Sequence, residues 1–411
     1  MSTIVESSNK INSSASSNSS SSDGSDGSDD SINDDMIDWS FKIFNDKYLL
    51  LKKLGKGAYC SVWLCYDIYE TTYYAIKIYN REDYYRAIDE IENYKLISNL
   101  NIKNITRYIN VFKYNIDVTE KDNPDETFMC CIMPLCGYSL YDIIKMFKNK
   151  KQIPIIFIYC IISKTISVLN DIHNSGLVHA DIKPENILLN QPSLENAMFI
   201  KLCDRVKILS KFKKITKKNK LDFVNAVKTE ITKYYTKELN IVNFEDINID
   251  IYYDYIFTNP DYNVSICDMG TAVKANDPKL YKKYTIYYRA PETILKLNYN
   301  YTYDYWSFGC CMYELLTGDI LFDVSSDLEL LYQMNCKLGP IPKNILKESS
   351  ISQQFYESKL TRLRGYKEIE YSSIYKKLFE LINIDNIVYI QSIINVIINC
   401  LNYQPNLRTL N

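Results

Sequence analysis

Four residues in one short stretch have the types and spacing to do chemistry together: His179, Asp181, Lys183 and Asn186, within His179-Ala180-Asp181-Ile182-Lys183-Pro184-Glu185-Asn186. A carboxylate can accept the proton of a hydroxyl group. A cation two residues on can offset charge on a transferring phosphoryl group, and an amide oxygen three further on can ligate magnesium. Pro184 withholds a backbone donor and resists helix, which suits an extended loop. The apolar run Ile187-Leu188-Leu189 then reads as a short buried strand. The weight of this match rests on whether matching parts occur elsewhere, in order.

The elements that must position such a loop begin well upstream. Tyr48 to Leu54 reads as a strand, followed by Gly55-Lys56-Gly57-Ala58-Tyr59-Cys60-Ser61-Val62 and a second strand, Trp63 to Tyr66. Two strands joined by a Gly-x-Gly turn make a flap whose backbone N–H groups can approach phosphates. A dinucleotide-binding fold would place a helix after the glycines, whereas Ser61 to Tyr66 has strand character. Taken alone, the Gly-x-Gly turn reads as an ordinary hairpin. Thr72 to Tyr79 is a strand by its β-branched and aromatic content, and period two puts Ala75 and Lys77 on one face, a small residue and an ammonium suited to a purine and its phosphates. Residues 84–97 read as a helix with Tyr84, Ile88, Ile91 and Lys95 at helical spacing, and Glu90 on it can brace Lys77. Phe128 to Gly137 reads as a buried strand running into a linker. If that linker connects two lobes, adenine would use backbone groups at Pro134, which keeps its carbonyl, and Cys136, with Met133 lining the back. Helical signals follow at 139–148 and 154–174. The only histidines, His173 and His179, lack an evident third metal ligand and read as structural.

The chain of 411 residues suits one large domain of two lobes plus a tail. A net charge of −2 gives no global field favouring nucleic acid or membrane, so neither is expected as a direct partner. Twelve cysteines form no CxxC pair, which points to a reducing, intracellular compartment. The apolar run Ile155 to Ile162 is too short to span a bilayer. Residues 1–38, rich in Ser, Asn, Asp and Gly, read as a disordered tail. Its Ser-Asp-Gly repeats are either phosphorylation sites or a solubilising device.

Downstream of the loop come Cys267-Asp268-Met269-Gly270, Ala290-Pro291-Glu292, Asp304-Tyr-Trp-Ser-Phe-Gly309 and Arg408. With the flap, the strand lysine, the helix glutamate and the loop, this series resembles the eukaryotic protein-kinase family. Lys183-Pro184-Glu185-Asn186 is similar to Ser/Thr kinases, and Thr285 to Glu292 and Leu328 to Pro342 are similar to the CMGC group. The wide separation of Asp181 from Asp268 marks residues 191–262 as an insertion, which, with Glu314 to Phe322, resembles the split kinases of Ser/Arg-rich splicing proteins. Ala180 departs from the family's usual arginine, and Met269 replaces a phenylalanine.

The resemblance implies an α+β, two-lobed protein-kinase fold over 48–411, with a β-rich N-lobe at 48–136 and a helical C-lobe at 137–411. It implies ATP and Mg2+: Leu54 to Val62 over the phosphates, Lys77 on them, Asn186 and Asp268 on the metal, Asp181 as base, and Lys183 on the γ-phosphoryl. Glu292 would pair with Arg408, and Asp304 would hold the catalytic loop. The implied function is a monomeric Ser/Thr protein kinase with a protein substrate, Ser/Arg-rich by the closer resemblance, acting in the cytoplasm or nucleus. A kinase-fold pseudoenzyme scaffold and a small-molecule kinase are the alternatives. Within the insertion, a basic run with nine Lys/Arg from Lys201 to Lys220 precedes a stripe of Leu221, Val224, Val227, Ile231 and Tyr234. That stripe would dock to the body, a partner or a nuclear-import receptor, or form a solvated charged face.

Overall fold

Continuous apolar runs such as Tyr48-Leu49-Leu50-Leu51 demand burial on both faces of a strand, and the fold supplies it. The computed structural model describes residues 37–100, 102–115, 127–206, 219–234, 248–258, 263–275, 285–298, 300–366, 371–382 and 387–410. The tail through residue 36 and the basic stretch 207–218 lie outside these.

Six strands form an antiparallel sheet: β1 (Ile43–Phe44), β2 (Tyr48–Lys56), β3 (Cys60–Asp67), β4 (Thr72–Tyr79), β5 (Asn110–Asn115) and β6 (Thr127–Pro134), in the order β1-β2-β3-β4-β6-β5. Helix α1 (Tyr84–Ser98) packs beside it. Its buried stripe is Tyr84, Ala87, Ile91, Tyr94 and Ile97, whereas Lys95 is exposed. The sheet starts before the expected boundary at 48, because β1 pairs with β2. Trp39, buried ahead of β1, sets its ring edge-on to Phe44, Tyr114 and Phe128.

The larger half is helical. Helix α2 (Leu140–Phe147) opens on a capping box, in which Ser139 and Asp142 satisfy each other's backbone donors. Helix α3 (Ile155–Asn174) is long and apolar enough to cross a bilayer by length and composition, yet it sits in the main core cluster with nine buried residues. Behind it come β7 (Leu177–Val178) and β8 (Ile187–Leu189).

The insertion contributes α4 (Leu194–Val206), α5 (Lys220–Tyr234) and α6 (Ile249–Phe257). Its described helices are docked rather than solvated. Phe199, Leu202 and Cys203 of α4 and Phe223, Val227 and Ile231 of α5 form one cluster with Leu49, Leu51, Leu64 and Tyr66 of the sheet. This is the second cover that the run in β2 requires. The buried stripe is led by Phe223, while Leu221 is 70% exposed. Full burial of an apolar side chain of this size is worth about 1.5–3 kcal/mol. Helix α6 docks elsewhere, its Tyr253 and Phe257 against Phe147, and Phe257 also against Phe157.

After the insertion, β9 (Val264–Ile266) pairs with β8, and β10 (Val273–Lys274) pairs with β7. Helices α7 (Pro291–Ile294) and α8 (Thr302–Thr317) follow, and α8 packs on the helix Ile387–Cys400. Gly309 makes that crossing possible: a Cβ there would lie 2.7 Å from the Cys400 side chain.

Candidate active site

The loop between β7 and β8 is held from below by one carboxylate. Asp304, fully buried on α8, accepts the backbone N–H groups of His179 and Ala180 at 2.8 and 2.9 Å, and also meets His173 Nε2 at 2.8 Å. That grip fixes Ala180 at φ 73°, a left-handed conformation costing a β-carbon residue about 1–3 kcal/mol. His179 acts as a second tie. Its Nε2 donates to the Cys267 carbonyl at 2.9 Å, which leaves Nδ1 to accept the Asp181 N–H at 3.2 Å. Both histidines are thus structural.

These ties present Asp181 beside three donors. Lys183 Nζ donates to Oδ2, Thr285 Oγ1 donates to Oδ1 at 3.0 Å, and Asn186 Nδ2 reaches the Asp181 carbonyl at 2.8 Å and Oδ2 at 3.3 Å. Burial works against the Lys183 charge, but Asp181 outweighs it and raises the ammonium pKa, so Lys183 stays cationic.

Pairing of β8 with β9 carries the second carboxylate to the same place. The Cys267 N–H donates to the Asn186 carbonyl at 2.9 Å, and the next residue, Asp268, sits at φ 62°. Its Oδ1 lies 3.9 Å from Lys77 Nζ. Lys77 donates to both oxygens of Glu90, at 2.8 and 3.0 Å. Burial again opposes the ammonium, and Glu90 foremost overcomes it, raising Lys77 well above its ordinary value.

Gly270 lets this arrangement close. A Cβ there would lie 2.3 Å from Glu90 Cγ and 2.7 Å from Cδ. Gly270→Ala is therefore expected to push Glu90 off Lys77 and cut kcat/KM by about 10²-fold, the usual cost of a misplacement near 1 Å. Steady-state phosphorylation kinetics checks it, and an unchanged rate would show that Glu90 has room to yield.

A cleft of about 940 Å³ joins these parts. Leu54, Gly55, Lys56, Gly57, Cys60 and Val62 line it from the flap, with Ala75, Lys77, Glu90, Met133, Pro134, Cys136, Asn186 and Asp268. Three expected flap contacts do not. Tyr59 turns outward, with the Arg86 guanidinium 3.4 Å from its ring centroid, and Ser61 accepts the Trp63 indole N–H on the other face. Ala58 is an exposed residue at the tip. Strand alternation explains this: Cys60 and Val62 face the cleft, so Ser61 cannot. Asp181 and Lys183 stand beyond the cleft wall, joined to it by Asn186.

The donor set suits a hard cation. Asn186 spends its amide N–H on Asp181, leaving Oδ1 as an acceptor, and Asp268 supplies a carboxylate that is 38% exposed. Magnesium favours a few oxygen ligands of this kind completed by water and phosphate.

Several site residues carried no earlier assignment. Tyr94 was legible as the residue one turn after Glu90; Tyr108 and the insertion residues Glu195 and Asn196, which also line the cleft, had no local signal. Thr285 had one, its place just before Ala290-Pro291-Glu292.

A profile for the protein kinase domain matches residues 48–236 and 245–410. Among curated proteins, the chain is 27% identical over 317 residues to the dual specificity protein kinase lkh1 of Schizosaccharomyces pombe, covering 77% of this chain and 38% of that protein. It is 27% identical over 320 residues to the serine/threonine-protein kinase AFC3 of Arabidopsis thaliana, covering 77% and 66%. Identity to the serine/threonine-protein kinase SRPK of Physarum polycephalum is 26% over 337 residues, covering 77% and 73%. The crystal structure of a kinase domain superposes with a TM-score of 0.61 at 24% identity, covering 91% of this chain and 95% of that one, a likeness of fold.

Proposed function

The chain belongs to the protein kinase family, and from that membership and the site's geometry we propose that it is a Ser/Thr protein kinase, transferring the γ-phosphoryl group of ATP to protein hydroxyls. The observation that carries this reading is the convergence of Lys77, Glu90, Asn186 and Asp268 on one cleft, with Asp181 hydrogen-bonded to Asn186 at its rim.

Each residue has work that its position supports. The hinge backbone at Pro134 and Cys136 orients adenine, and Ala75 leaves room for it. Lys77, held by Glu90, binds the α and β phosphates. Asn186 and Asp268 would hold magnesium, which when bound supplies charge neutralisation on the triphosphate. Asp181 aligns a substrate hydroxyl and accepts its proton, while Lys183 offsets charge on the transferred group. Placement and charge, rather than covalent chemistry, supply the rate enhancement. The formed Lys77–Glu90 pair speaks against a scaffold without transfer.

The finer reading is a Ser/Arg-rich protein substrate. It is supported by the resemblance in the insertion and by Glu185, an exposed residue whose carboxyl group lies within electrostatic reach of both Asp181 and Asp142, an acidic surface that suits a cationic peptide. We take the enzyme to act as a monomer inside the cell, in cytoplasm or nucleus, without direct nucleic-acid or membrane partners.

The test is transfer of label from ATP with magnesium to protein and to a peptide array with Ser-Arg, Ser-Pro and acidic contexts. Label on Ser or Thr is expected, strongest in Ser-Arg contexts. Label on small alcohols alone, or none, would sink the reading; preference for acidic flanks would sink the substrate assignment only.

A further inference from the structure

Three tyrosines surround the Lys77–Glu90 pair, and none is explained by packing alone. Tyr108, in the segment before β5, donates its phenolic hydrogen to Glu90 Oε1 at 2.5 Å. Its oxygen stands 3.1 Å from the hydroxyl of Tyr79, at the end of β4 and 1% exposed. Because Tyr108 spends its hydrogen on Glu90, Tyr79 is the donor between them. The Tyr79 ring also lies under the Lys77 ammonium, 4.7 Å from centroid to Nζ. Tyr108 stacks on Tyr94 of α1 at 3.9 Å. The Tyr94 oxygen accepts the backbone N–H of Met269 at 3.2 Å, directly after Asp268.

The bonds run in one direction. Tyr79 donates to Tyr108, Tyr108 donates to Glu90, and Glu90 receives both hydrogen bonds from Lys77. A carboxylate bound by Lys77 alone could swing on its two-methylene stem. A third donor from a fixed ring removes that freedom, and hydrogen bonds to charged groups are the stronger class. The neighbouring stack extends the restraint to the backbone of the metal-ligating loop. Both Tyr94 and Tyr108 border the cleft itself.

We propose that Tyr108 is a positioning residue for phosphoryl transfer: its hydroxyl holds Glu90 where Glu90 can present Lys77 to the phosphates. The proposal rests on the kinase reading above. It differs in resting on hydroxyl groups, which a ring stack without them would not need. Burial pushes the Tyr79, Tyr94 and Tyr108 hydroxyls well above their ordinary pKa, so all three stay protonated through the working range of pH and Tyr79 and Tyr108 keep the hydrogens they donate.

Tyr108→Phe keeps the ring and the stack and removes only the hydroxyl. The expected result is a loss of at least about tenfold in kcat/KM for ATP, the size expected for one hydrogen bond to a charged group, with a raised KM for ATP. In a Glu90→Gln background the same change should cost less than threefold, because the group it acts through is already altered. Wild-type kinetics in Tyr108→Phe, or full additivity with Glu90→Gln, would overturn the role. Thermal stabilisation by ATP with magnesium gives a second readout, independent of transfer. It should shrink in Tyr108→Phe, and an unchanged shift overturns the proposal even if the wild-type chain labels no substrate. An inactive wild type with a diminished shift in the variant would instead count against the kinase reading while supporting the placement of Glu90.

Discussion

Asp181→Asn is expected to lower kcat by about 10²- to 10⁴-fold, the range for losing a positioned general base, while the Kd for ATP stays within about twofold. The geometry separates the two effects. Asp181 stands outside the wall of the nucleotide cleft, so its replacement leaves Lys77, Glu90 and the hinge untouched. The fold around it should also persist. An asparagine can turn its carbonyl oxygen to the donors Lys183 and Asn186 and offer its amide N–H to Thr285 Oγ1, which then accepts instead of donating. What is lost is the only group in that cluster able to take a proton from an incoming hydroxyl. Steady-state kinetics with nucleotide titration checks this. Wild-type turnover in the variant would remove Asp181 from the mechanism, and a large loss of ATP affinity would place it in the cleft.

The second large effect is on stability. Glu292 and Arg408 are 1% and 0% exposed and bind through two parallel contacts, one of them at 2.7 Å. Arg408 also donates to the carbonyls of Asn402 and Thr302, and its guanidinium stacks 5.0 Å from the Trp306 ring centroid. Glu292→Gln strands a guanidinium that has no route to water. The expected cost is about 3–5 kcal/mol, read as a lower denaturant midpoint. Replacing both partners with leucine should recover part of this, since no isolated charge remains, but not all, because two carbonyls lose their donor. A single substitution costing under about 1 kcal/mol would mean that water reaches Arg408 after all.

Much of this site was legible as letters because its parts are local. Lys77 and Ala75 share a strand face by period two, Asp181 to Asn186 is one loop, and Asp268 abuts a short strand. The failures share one physical cause, packing partners distant in sequence. The phase of α5 is set by Phe223 against Leu49, Leu51 and Leu64, an apolar surface more than a hundred residues upstream, so a stripe read from α5 alone began at Leu221. The clue lay instead in the unbroken run at Tyr48 to Leu51, which calls for a cover. Two-residue β1 is too short to show any periodicity. Tyr59 looked like part of the phosphate flap because of its neighbours, and only the position of Arg86 reveals where its ring goes.

The pairing of Ile187–Leu189 with Val264–Ile266 has a cost that belongs to folding rather than to catalysis. Residues 190–263 must be looped out before the two strands meet. Relative to a hairpin loop of about four residues, that is about four doublings of loop length at about 0.6 kcal/mol each, or about 2.4 kcal/mol of closure entropy. It follows that docking of the looped-out helices works toward bringing Asn186 and Cys267 together, and that a growing chain cannot set the Asp268 carboxylate beside Asn186 until the whole detour has been synthesised.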